Sequence, residues 1–380
     1  MIVDASEGLR FFWHRSSICL VPDPQDELLE AICAAALECG ASDILLHEGK
    51  VPRVRIGGQL ELLQAEAMGP DFFDALWKKC GAGEARDFDA SLIAAGGKRF
   101  RVNLLRSLGL RAAVFRAIRS DIPDLDSLRV PAGVLRLWGE SRQGLIIVCG
   151  PAGSGKSTTL AALLGWMNST RARHIVTIED PVEYSFPDGL CTFTQREVGI
   201  DTPTFSEGLR RCLRQNPDVI LIGEIRDAEA ATTALQAAET GHLVLATLHS
   251  PNCPDAVERL EGLFPAEARD AIRRTLSGQL LGVLCQKLLP GVDGGLALAS
   301  EFFSNVGAFT KYVSDGRLTE LSDAIARGDG KDSEGLLTSL ARLVRDGRLA
   351  EDIALSAASS PSELLRVLRG VSSSSAVTKR

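Results

Sequence analysis

The chain has 380 residues, 45% hydrophobic and 24% charged, a balance that suits one long globular domain or two ordinary ones, each with its own core. A formal net charge of −7 argues against a dedicated nucleic-acid binder, which carries a basic surplus. No run approaches 18 uninterrupted apolar residues, and the start, with Asp4 and Glu7 and no long apolar core, does not read as a secretory leader.

Residues 1–25 read as an extension closed by the breaker-rich VPDPQD. DELLEAICAAALECG follows with helical spacing at Leu28, Leu29, Ile32, Ala36 and Leu37 and a stop at Gly40. SDILLH, VPRVRI and QLELL read as strands, the last two flanking Gly57-Gly58 as a hairpin. DFFDALWKKCG is a short helix, and FRVNLLRS and LRAAVFRAI alternate as two further strands. An α+β domain is therefore expected over 26–120, followed by a Pro- and Asp-rich linker or hinge at 121–133, DIPDLDSLRVPAG.

From residue 134 the pattern becomes α/β. Short apolar strands, LIIVC, HIVTIED, VILIGEI and LVLATLH, alternate with helices such as FSEGLRRCLRQ and AEAATTALQAAETG. Alternation of this kind implies a mainly parallel sheet with ligands at the carboxyl ends of its strands. That domain is expected over 134–300, then a helical region over 301–370 and a frayed tail, 371–380. The nine cysteines form no C-x-x-C pair and read as buried thiols of a reducing compartment. The five histidines are too scattered to mark a zinc site by spacing.

The chemistry begins after LIIVC. Gly150, Pro151, Ala152, Gly153, Ser154, Gly155, Lys156, Ser157 and Thr158 fit G-x-x-x-x-G-K-[ST], a loop whose backbone N–H groups cradle a polyphosphate. Lys156 can reach the β- and γ-phosphates and the Ser157 hydroxyl can ligate Mg²⁺. The helix it needs next is spaced by Leu160, Leu163, Leu164 and Met167. The remaining strands end on Glu179 and Asp180, with Glu183 close behind, on Glu224 and Asp227, and on His249. Phosphoryl transfer needs charge stabilisation and a group that positions or deprotonates water, and acids at two strand ends suit water and metal.

IEDPVEYSF resembles the Asp box, ILIGEIRD the Walker B segment and GHLVLATLH the His box of the type II/IV secretion and pilus motor ATPases. ECGASDILLHEGKVPRVRIGGQLELL, KRFRVNLL, RAAVFRAI and TQREVG resemble further segments of the PilT-like pilus retraction branch, so that the similarity runs from about residue 26 to 300. The resemblance implies a PAS-like N-terminal domain, a RecA-like P-loop ATPase domain and a helical C-terminal region. It also implies a homohexamer using ATP and Mg²⁺ at the inner face of the inner membrane, against a pilus or secretion platform protein and possibly with a related motor ATPase. By the same resemblance Glu179 would polarise the attacking water, Glu224 and Ser157 would hold Mg²⁺, and His249 would contact the γ-phosphate, with His242 structural. Arg101 and Arg116 match an arginine pair of the N-terminal domain, suited to spreading transition-state charge. The absence of a four-cysteine zinc element and of a large extra N-terminal domain favours the retraction side. In place of the retraction branch's AIRNLI-like segment the chain reads GAFTKYVSDGRL (307–318), where Lys311 and Arg317 supply charge and Tyr312 an apolar anchor for a partner. The expected function is a motor for pilus retraction or a related secretion machine. The alternatives are an accessory nucleotide-binding paralogue and a type II/IV secretion ATPase.

Overall fold

Two units make up the chain, Met1–Ala117 and Ile118–Arg380. The structure, a computed structural model, describes residues 24–330 and 332–369. The expected tail, and all but Pro24 and Gln25 of the expected extension, lie outside the described residues.

In the first unit, helix α1 (Pro24–Glu38) leads into strands β1 (Asp43–His47), β2 (Arg53–Ile56) and β3 (Gln59–Leu62), helix α2 (Pro70–Cys80), and strands β4 (Asp87–Ala94), β5 (Lys98–Ser107) and β6 (Leu110–Ala117). The strands form one antiparallel sheet in the order β3-β2-β1-β6-β5-β4. Gly57 and Gly58 take positive φ, 56° and 87°, as a two-residue turn between β2 and β3 requires. Alternation along β5 buries Phe100, Val102 and Leu104 against Phe72, Phe73 and Leu76 of α2 and Leu29 and Ile32 of α1. Each such side chain contributes about 1.5–3 kcal/mol on burial. Strand β4 has no expectation behind it in the sequence, because its buried side chains are only Ala90, Leu92 and Ala94. Eight residues paired with β5 supply what the weak alternation lacks.

The second unit opens with residues 118–131, of which Leu125 and Val130 are buried with Leu135 and Trp138 of helix α3 (Ala132–Glu140). Then come β7 (Gly144–Cys149), α4 (Lys156–Thr170), β8 (His174–Glu179), β9 (Thr192–Glu197), α5 (Phe205–Cys212), β10 (Val219–Ile222), α6 (Ala228–Glu239) and β11 (Leu243–Leu248). They are followed by α7 (Cys253–Gly262), α8 (Arg269–Gln279), β12 (Leu280–Pro290) and β13 (Leu296–Ser304), and then by α9 (Ala308–Asp315), α10 (Leu318–Arg327), β14 (Ser333–Glu334), α11 (Leu336–Arg345), α12 (Glu351–Ala357) and α13 (Pro361–Leu368). The sheet order is β14-β13-β12-β7-β11-β10-β8-β9. The six strands from β12 to β9 are parallel, and β13 and β14 add an antiparallel edge. Strands β7 and β11 are buried at every position, as central strands covered on both faces must be.

The 307–318 segment differs from its expectation. Phe309 and Val313 of α9 are buried, and the Tyr312 ring packs against the same core with the Arg317 guanidinium 5.3 Å above it. Arg317 also pairs with Glu320. Tyr312 is therefore an internal anchor, because the helical spacing that carries Phe309 and Val313 inward carries it too. Lys311 and Asp315 are the exposed charges of that helix.

Candidate active site

Strand β7 delivers the chain to Gly150 at φ 143°, where a Cβ would stand 2.4 Å from the Gln286 carbonyl oxygen of β12. Glycine is the residue that fits there. The loop then turns through Gly153 and Gly155, both at positive φ, and Gly155 is the N-cap of α4. Residues 152–158 line a cavity of about 630 Å³ and aim the N-terminus of α4 into it. Gly150 and Pro151 are not in its wall. Their carbonyls accept hydrogen bonds from the Lys156 ammonium, at 3.0 and 2.9 Å. Lys156 is buried, and desolvation pulls its pKa below the ordinary lysine value against the opposing pull of Glu224 and Glu183.

Glu179, the last residue of β8, lines the same cavity yet is only 9% exposed. Burial pushes its carboxyl up to about 7, although the Thr177 hydroxyl donates to Oε1 at 2.6 Å and the Gln195 amide at 3.5 Å. Glu224, two residues past β10, lines the cavity in different company. Arg226 Nε donates to its Oε2 at 2.7 Å, and His249 Nε2, just past β11, stands 3.7 Å from Oε1. Arg226 reaches Asp180 as well, at 3.3 Å, and lies 5.5 Å above the Phe205 ring. Its guanidinium is held above its ordinary pKa chiefly by the bond to Glu224. His242 lines nothing here: its Nδ1 bonds the Ala237 carbonyl at the end of α6, at 3.0 Å.

A divalent cation fits this donor set in one way. Among the described residues no group of three or more His, Cys, Asp or Glu side chains could hold a metal by itself. The cavity does offer the Ser157 hydroxyl and the Glu224 carboxylate, which suit a cation that keeps waters and shares phosphate oxygens.

A phosphate loop with two acids and a histidine at neighbouring strand ends marks nucleoside-triphosphate chemistry. A family model described as Type II/IV secretion system protein matches residues 93–298. The chain belongs to this family. It is 36% identical over 338 residues to the type IV pilus retraction ATPase PilT of Pseudomonas aeruginosa, covering 87% of this chain and 98% of that protein. It is 33% identical over 348 residues to the type IV pilus ATPase PilU of the same organism, covering 90% and 91%. A crystal structure of the retraction motor PilT with bound ADP superposes with a TM-score of 0.80 at 36% identity, covering 89% of this chain and 99% of that one. The mixed α/β fold with N- and C-terminal domains is thus that of PilT-like members of the family.

The family's motifs therefore meet in the second unit: the loop 152–158, Glu179, Glu224 and His249 share one cavity. Arg101 and Arg116 belong to the first unit, on β5 and β6, as directly paired cross-strand neighbours. Arg116 donates through Nε to Asp43 Oδ1 at 2.8 Å, and Arg101 stands 3.8 Å from Asp89. Burial would raise the Asp43 carboxyl, but hydrogen bonds from Arg116 and Ser42 outweigh it and hold its pKa below the ordinary value.

Several lining residues were not singled out in the sequence. Arg226 sits inside the GEIRD segment, beside an acid that was, and its spacing was the available signal. Arg119 lines the cavity with its Nη1 3.5 Å from the Tyr184 hydroxyl, and Leu288 and Leu296 enter from β12 and β13. Nothing local marks these three.

Proposed function

We propose that this chain is an ATP-hydrolysing motor of the type II/IV secretion family that powers type IV pilus retraction. The supporting observation is the convergence of the loop 152–158, Glu179, Glu224 and His249 on one cavity. In this reading the α4 N-terminus and Lys156 bind the phosphates, and Ser157 and Glu224 would hold Mg²⁺, whose charge would offset that developing on the phosphoryl oxygens. Glu179 is the base: a carboxyl pushed up to about 7 matches proton transfer near neutral pH. Water oxygen attacks the γ-phosphorus, its proton passes to Glu179, and the bond to the β-phosphate oxygen breaks. His249 faces the γ-phosphate. Arg101 and Arg116, held ready by Asp89 and Asp43, supply positive charge from the N-terminal domain.

The reading includes a PAS-like domain over 26–120, a RecA-like domain over 134–300 with 121–133 as hinge, and a helical region over 301–370. It further includes a homohexamer docked on a platform protein at the cytoplasmic face of the inner membrane. The relatives named as pilus ATPases match over nearly their whole length, which favours retraction over a secretion role. The purified protein should turn over ATP, and Lys156→Ala should weaken binding of a fluorescent ATP analogue at least about 100-fold, the loss of roughly 2.7 kcal/mol of phosphate contact. Deleting the gene should impair surface motility while surface pili persist. Loss of all surface pili would place the protein on the assembly side instead.

A further inference from the structure

The register of β8 and β9 puts three side chains of one kind of interest together. Thr177 pairs directly with Gln195, and Glu179 follows Thr177 by two residues. Positions i and i+2 of a strand, and the residue directly opposite, share one face of a sheet. Thr177 and Gln195 therefore flank Glu179 on the face that carries it to the cavity. Both donate to the same oxygen, Oε1, at 2.6 and 3.5 Å; the Glu183 backbone N–H also bonds the carboxyl, and Oε2 takes no side-chain donor among the described residues.

Neither donor is free to wander. Thr177 is fully buried in β8, a strand paired on both sides by β10 and β9, which fixes its hydroxyl. The Gln195 amide is held at both ends by the chain opposite: its Nε2 donates to the Tyr184 carbonyl at 2.7 Å and its Oε1 accepts from the Phe186 N–H at 3.3 Å. Turning the amide over would place oxygen against oxygen and N–H against N–H. The segment that holds it is itself pinned, since the Phe186 ring stacks on Phe193 with centroids 4.2 Å apart. The Tyr184 hydroxyl, at 3.1 Å from Thr158 Oγ1, ties the same segment to the phosphate loop. A pocket of about 30 Å³, bordered by Ser157, Glu179, Tyr184 and Thr247, opens beside this arrangement and has room for a water molecule.

We infer that Thr177 and Gln195 are positioning residues for Glu179, clamping Oε1 from the sheet so that Oε2 is left to the reacting water. A base must stand within hydrogen-bond reach of the proton it takes, and a reacting group held by locked neighbours loses little to misorientation. The clamp also couples the acid to the loop through Gln195, Tyr184 and Thr158, so the two halves of the site are set by one network. The inference rests on Glu179 being the base proposed above.

The test compares four variants of the full chain in steady-state ATP turnover, with affinity read from a fluorescent ATP analogue. Thr177→Val removes the hydroxyl at nearly unchanged volume, and Thr177→Ser restores it. Gln195→Ala removes the second donor, and Glu179→Gln is the reference for loss of the base. Expected is a fall in kcat of about 10-fold or more in Thr177→Val and Gln195→Ala, with ATP affinity within about 2-fold, and Thr177→Ser within about 3-fold of the unaltered protein. If Thr177→Val and Gln195→Ala keep full kcat while Glu179→Gln loses it, the clamp is overturned and the base stands. If Glu179→Gln itself keeps full kcat, both are overturned. If Thr177→Ser falls as far as Thr177→Val, or affinity falls in step with kcat, the two residues serve packing alone and the inference fails.

Discussion

Two neighbouring parallel strands, β8 and β10, each bring a glutamate to the same cavity, and the protein treats the two differently. Glu179 is buried with neutral donors, Thr177 and Gln195, and makes no ion pair among the described residues. Glu224 is gripped by the Arg226 guanidinium and faces His249. A carboxylate cut off from water and given no cation binds its proton more tightly, whereas one beside a guanidinium has its charge compensated. Equal chemistry at two strand ends thus carries a raised pKa at one and a guanidinium partner at the other. This contrast distinguishes two acids that the motifs alone leave alike.

The largest effect that can break the contrast is on turnover. Glu179→Gln should lower kcat by about 10²- to 10⁴-fold with ATP still bound, as expected for removal of a general base. The pH profile is more telling than the size. Activity of the unaltered protein should rise through about pH 7 as Glu179 ionises. The residual activity of Glu224→Gln should keep that rise and that of Glu179→Gln should lack it. A rise retained in Glu179→Gln would assign the base elsewhere.

Next in size is the metal dependence. Glu224→Gln should raise the Mg²⁺ concentration for half-maximal turnover by about 10-fold, roughly 1.4 kcal/mol, and Glu179→Gln should leave it unmoved. A Mg²⁺ titration of the two variants side by side reads this directly.

Stability offers a third, independent check. The folded-state pKa of Glu179 is raised above its unfolded value, so the folded protein holds that proton more tightly. The group's contribution to stability is then present at low pH and lost as pH rises through about 7. Glu179→Gln carries no such loss. It should be more stable than the unaltered protein at pH 8, by up to about 3 kcal/mol, with the difference vanishing near pH 4. Calorimetry at the two pH values measures it.

The smallest effect belongs to Arg226. Arg226→Gln leaves Glu224 without its guanidinium and releases Asp180; the guanidinium itself is half exposed, so the change should cost no more than about 1 kcal/mol of stability. It should change turnover by about 3- to 10-fold, through Glu224 alone, leaving the pH 7 rise in place. A shifted rise would mean that the two acids are electrically coupled and the contrast is less sharp than the geometry suggests.

Much of this site was legible in the sequence. The phosphate loop declares itself because tight turns require Gly150, Gly153 and Gly155, and the strand ends declare themselves because polar residues interrupt fully apolar runs. Arg119, Leu288 and Leu296 were not legible, since each reaches the cavity from an element whose own pattern says nothing about nucleotides. Strand β9 was hidden for a related reason. TFTQRE spends alternate positions on Gln195, which faces the site, and so lacks the apolar alternation of an ordinary strand. Tyr312 was misleading in the other direction: its chemistry suits a partner surface, but its position on α9 is decided by Phe309 and Val313 beside it.

The sequence by itself determined the parallel α/β unit, the loop that cradles phosphate and the residue types at its strand ends, because periodicity and glycine requirements act over a few residues at a time. Only the tertiary structure decided that Glu179 is buried without an ion-pair partner among the described residues, while Glu224 keeps its chain neighbour Arg226. The burial of Glu179 depends on neighbours brought in from elsewhere in the chain, Gln195 of β9 among them, and desolvation is a property of everything packed around a group. Local residues choose what chemistry is present. The three-dimensional surroundings choose which copy of it is shut away from water.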